Sequence, residues 1–198
     1  MTELKDLIDN KRLAGFRQAW ESARSGDAIP ARRDITLRGF SRFIPDMLML
    51  EKMGPREYRY CQAGEGVKDR LEMHDTGTNF FDFLHPDILD LSEDWWGGLL
   101  SVPCGGFVSY SIEYPGGVLR HAMTLMLPMA RDDGSHKMLL GMTHVVGERY
   151  FSNGRGKTVI GEHWAEADHF DIGFGVPSDA AAEYSHKPDP DFLKRLSL

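Results

Sequence analysis

The densest group of chemically able side chains in this sequence is the stretch EHWAEADHFD at 162–171. Glu162, His163, Glu166, Asp168 and His169 are all of the types that ligate zinc or iron. His163 and His169 stand six apart, which is not the i, i+4 pair that a metalloprotease helix uses, and no cysteine joins them. A solvated acidic face is the expected reading, with a metal-binding protein or a small metabolic enzyme built on this cluster as the alternative. His121 and His144 lie instead inside apolar runs, LRHAM and MTHVV. An imidazole there could ligate heme iron or hold a ligand carboxylate, or it could simply complete the hydrogen bonding of a sheet. His74-Asp75 has the residue types of an acid–base pair, but the Asp75-x-Gly77 context fits a turn in which the carboxylate accepts backbone N–H groups.

Nucleophile and phosphate motifs fail one by one. Gly64-Glu65-Gly66-Val67 lacks the third glycine of a dinucleotide fingerprint. Gly156-Lys157-Thr158 ends like a P-loop, yet Phe151 stands where the first glycine is required. Cys61 and Cys104 have no CxxC spacing and read as two reduced thiols. The expectation is therefore a binding protein and not an enzyme. Its candidate pocket is aromatic and methionine-rich: Phe80, Phe81, Leu84 and Trp95 from a helical segment, with Tyr110, Met123, Met142 and His144 from strands. Such a lining suits a small apolar molecule, and methionine adapts its shape to what it meets. The identity of any ligand or cofactor stays open at this stage.

The elements that must position these residues can be read from periodicity. Leu4, Leu7, Ile8, Phe16, Ala19, Trp20 and Ala23 form one stripe of an N-terminal helix that Gly26 ends. That stripe must be buried, either on the chain's own sheet or against a second copy, so a homodimer is expected. Residues 34–44 suggest a short helix capped by Asp34. Met47–Met53 and Glu57–Ala63 read as strands joined at Gly54-Pro55. Short helices and turns follow, then a helix over 87–101 that Gly97 and Gly98 weaken. Strands are expected at 107–114, 118–127 and 137–147, the last pair joined through Asp133-Gly134. Two strands, a helical insertion and three strands give an α+β fold: a five-stranded antiparallel sheet with helices on one face.

That order resembles PAS domains, and a divergent PAS family common in alphaproteobacteria in particular. The matching features are Tyr58-Arg59-Tyr60 leading to Ala63-Gly64, then Asp75-x-Gly77, Asp82-x-Leu84, Pro103, Leu127-Pro128 and the Asp133-Gly134 turn. The resemblance covers about residues 30–148, with an N-terminal helix and linker at 1–29 and a C-terminal extension at 149–198. It implies sensing or protein association, with a regulatory protein partner reading the state of the domain. No segment resembles the cysteine-containing flavin motif of photoreceptor PAS domains.

Composition narrows the partners. A net charge of −7 disfavours direct nucleic-acid binding, and Arg32-Arg33 and Lys194-Arg195 are too short to make a phosphate-binding stripe. No apolar run approaches a membrane span, and the charged N-terminus is no secretory signal, so a cytoplasmic protein is expected.

Overall fold

The structure is a computed structural model that describes residues 10–74, 77–135, 137–150, 156–178 and 184–186. The expectations at Leu4, Leu7 and Ile8, at Asp75 and Thr76, at Phe151 and Gly154, and at Lys194-Arg195 lie outside these residues. Its centre is one antiparallel sheet built from β1 (Met47–Gly54), β2 (Glu57–Ala63), β3 (Gly105–Glu113), β4 (Val118–Met129), β5 (Met138–Tyr150), β6 (Val159–Phe170) and β7 (Tyr184–His186). The strand order is β2-β1-β5-β4-β3-β6-β7. The first five positions are the expected α+β sheet. The C-terminal extension then adds to it, because β6 pairs with β3 along its length and β7 pairs with β6. β6 carries small residues, Ala165 and Ala167, between charged ones, a pattern with little intrinsic strand preference that becomes a strand only against a neighbour.

Both faces of the sheet are covered, and this explains the long apolar runs in β4 and β5. On one face lies α1 (Lys11–Ala23), whose Leu13, Phe16 and Trp20 are at most 1% exposed. Asn10 caps it, its side chain accepting from the N–H groups of Arg12 and Leu13. Phe16 packs edge-on against Phe40 and Phe43, and the Trp20 indole donates to the Pro128 carbonyl at 3.0 Å. The described part of the N-terminal stripe is thus buried on its own sheet.

Between α1 and β1 the expected helix over 34–44 is broken. Asp34 closes a 3-10 turn at Arg32–Asp34, Thr36 caps the short α2 (Leu37–Phe40), and a second 3-10 turn at Ile44–Asp46 leads into β1. The break falls at Ile35 and Thr36, whose ψ angles of 84° and 147° leave the helical region.

The opposite face receives the insertion between β2 and β3: α3 (Glu65–Leu71), 3-10 turns at Phe80–Phe83 and Pro86–Ile88, and α4 (Leu89–Ser101). Gly64 starts α3 so close to the preceding turn that a Cβ would stand 1.9 Å from the Ile44 carbonyl oxygen. The insertion is tied to β6 as well, where the His85 N–H donates to the Ile160 carbonyl at 2.8 Å.

Strict alternation divides the strands between the two layers. Leu48, Leu50, Tyr58, Tyr60, Tyr110, Ile112, Ala122, Met126 and Leu139 face the insertion. Met47, Met49, Phe107, Met123, Leu125, Leu127, Leu140 and Met142 face α1.

Candidate functional site

A cavity of about 40 Å³ lies between the sheet and the helical insertion. Its apolar wall comes from Leu48 and Leu50 of β1, Phe80 and Leu84 of the insertion, Trp95 and Trp96 of α4, and Ile160 of β6. The aromatic rings interlock: Phe80 lies against Trp96 with centroids 4.7 Å apart, and Trp95 meets Trp96 edge-on at 5.5 Å. By the measure in which a water needs roughly 10–15 Å³, the space holds a few waters or a molecule of a few heavy atoms.

Polar groups enter this wall at a few places. Tyr110 Oη and Thr124 Oγ1 are 2.9 Å apart, and Thr124 Oγ1 and Thr143 Oγ1 are 2.8 Å apart, so three strands share one chain of hydroxyls. Arg70, on α3, also lines the cavity. Its Nη1 donates to Asp46 Oδ1 at 2.6 Å, while Asp46 Oδ2 accepts from Arg12 Nη2 at 2.5 Å. One carboxylate therefore serves two guanidiniums. Arg70 Nη2 and the Trp95 indole Nε1 are shielded from solvent and have no hydrogen-bond partner. Tyr60, wholly buried in the same wall, has its phenol pushed well above the ordinary range by desolvation and stays neutral.

A curled antiparallel sheet with its helices inserted after the second strand, closing over an internal cavity, is the arrangement on which the comparisons bear. The PAS domain family matches residues 8–144, more than half of the chain. The chain belongs to the PAS family. No curated protein matches it. Among solved structures, a chain of the Vibrio cholera VqmA–ligand–DNA complex is similar at 13% identity and a TM-score of 0.42, over 57% of this chain and 52% of that one. The match thus spans about half of that chain, and nothing further about this protein follows from it.

The PAS sheet separates the residues that the sequence grouped as a pocket. Phe80, Leu84, Trp95 and Tyr110 line the cavity. Phe81 sits behind it, stacked on Tyr58 with centroids 5.3 Å apart. Met123 and Met142 are buried beneath α1 on the other face, and His144, paired with Met123, shares that side. The reason is register. Tyr110 pairs with Ala122 and Ser109 with Met123, so Tyr110 and Met123 point to opposite faces. His121 also lies on the α1 side, where its Nε2 is 2.7 Å from Ser109 Oγ.

Sequence reasoning missed Arg70, Tyr60, Thr124 and Thr143. A signal was present for each threonine, as a polar residue inside a buried apolar run. For Arg70 the signal is its place beside Val67 and Leu71, at i+3 on the apolar stripe of α3.

The 162–171 cluster does not gather in one place. Glu162 and His163 sit where β6 bulges at Gly161, whose φ of +77° favours glycine. There His163 Nε2 and Glu113 Oε2 are 2.9 Å apart, and the ligand atoms of Glu113, Glu162 and His163 lie within 4.8 Å of one another. Burial and the neighbouring Glu162 carboxylate push the Glu113 carboxyl above its usual range. These three groups could share a cation. His169 lies elsewhere, stacked on Trp95 with its Nε2 3.1 Å from the Trp95 carbonyl oxygen.

Proposed function

We propose that this PAS domain is a sensory module that takes a small molecule into the cavity between its sheet and helical insertion. In this reading the ligand is bound and not transformed. The occupied state is passed on through contacts with a regulatory protein or a second copy of the chain. The observation that carries the reading is the cavity itself: a mostly apolar space with a few convergent polar groups, in a family whose members are generally sensors. Occupancy would shift the population of insertion conformers, since Phe80, Trp95 and Trp96 belong to the insertion and would contact the ligand directly. Homodimerisation remains part of the proposal, but through surface other than Leu13, Phe16 and Trp20. Among the described residues no helix is long and apolar enough to cross a membrane.

Thermal melts with butyrate, butyramide and phenol test the reading. At least one of these should raise the melting temperature of the natural chain, by the stabilisation that a ligand specific to the folded state confers. An Ala167→Leu variant, which fills the cavity from the sheet side, should not respond. No response in the natural chain, or an equal one in the variant, overturns the proposal.

A further inference from the structure

We infer that the ligand of this cavity is an anion, a short-chain monocarboxylate whose carboxylate is received by Arg70 while its apolar tail lies among Phe80, Trp96 and Ile160. The inference rests on the sensory reading above and specifies the chemistry of the same site.

Three observations lead to it. The first is charge. Asp46 is shared by Arg12 and Arg70, so this group of three carries one positive charge in excess. Arg12 is 40% exposed and can be solvated, whereas Arg70 is only 11% exposed. Arg70 thus lines the cavity with a carboxylate that it must share, and the net positive charge of the group favours an anion there over a neutral ligand. Tyr60, in the cavity wall, and Tyr114 both feel the Arg70 charge.

The second is hydrogen bonding. Both of the shielded and unpartnered polar atoms belonging to cavity residues, Arg70 Nη2 and Trp95 Nε1, are N–H donors. Buried donors in native proteins almost always have acceptors, so what completes this site must be rich in acceptors and need not donate. A carboxylate presents acceptors only, and it matches the planar fork of a guanidinium. The hydroxyl chain of Tyr110, Thr124 and Thr143 keeps one proton beyond its two internal bonds and can turn it toward a second oxygen. The third is size: about 40 Å³ admits a chain of a few carbons and excludes a large ring system unless the aromatic wall moves.

The test compares butyrate with butyramide, which has nearly the same shape and no charge, by NMR titration at constant ionic strength in chloride. Butyrate should bind at least tenfold more tightly. Arg70→Met should abolish that preference, and Arg70→Lys should restore part of it. If the methionine variant does not fold, the lysine variant and the butyrate–butyramide ratio in the natural chain still decide. Equal binding of the two probes, or a preference that survives Arg70→Met, refutes the anion and leaves the cavity as a site for neutral ligands. Saturable shifts from neither probe refute the anion and the sensory cavity together.

Discussion

At the scale of single residues, burial sets the chemistry more than charge does. His121 is pushed down to about 4, mainly by desolvation, and burial also lowers His144 and His169. All three are therefore neutral in the fold at pH values where the unfolded chain binds protons. Their folded values lie below the unfolded value near 6.5, so they support the fold above that pH and withdraw support as the pH falls toward 4. Urea midpoints should decline between pH 6.5 and 4, and His121→Gln should flatten the decline most, by up to about 2–3 kcal/mol across the window. An unchanged slope in that variant would contradict the burial of His121. These histidines were visible in the sequence as residues inside apolar runs, but not the face they take. With both sheet faces covered, the apolar runs of β4 and β5 set the alternation poorly, and one residue of slip exchanges Met123 for Ala122 on the face toward the insertion.

At the scale of elements, the insertion and α1 are held by a few close contacts. Gly64 allows α3 to begin against the Ile44 carbonyl, and its alanine variant would need backbone movement. Gly64→Ala should cost about 2 kcal/mol or more in chemical denaturation. A near-neutral effect would mean that the turn at Ile44–Asp46 yields easily. Trp20 joins α1 to the sheet by both ring burial and its bond to Pro128, and Trp20→Ala should cost about 3–5 kcal/mol. The five central strands and α4 were legible because their turn signals and periodicity agree. Two elements were not. The helix expected from Asp34 is split at Ile35-Thr36, where the Thr36 hydroxyl accepts from the Gly39 N–H and starts a new, shorter helix. Strand β6 was hidden because its alanines are chosen for room beside α4 and the cavity, not for strand preference.

At the scale of the whole molecule, the sheet works as a partition. One face is covered by α1 over large methionine and aromatic side chains, and the other holds the cavity under a set of short helical pieces. The two tryptophans of α4 and the one of α1 stand on opposite sides of that partition, which makes them reporters for where a small molecule binds. The most direct measurement is an NMR titration with butyrate that follows the indole N–H signals of Trp95, Trp96 and Trp20. Saturable shifts at Trp95 and Trp96 with Trp20 unmoved are predicted. No saturable shift at the α4 indoles with butyrate, nor with butyramide or phenol in its place, or an equal one at Trp20, would contradict a ligand site between the sheet and its helical insertion.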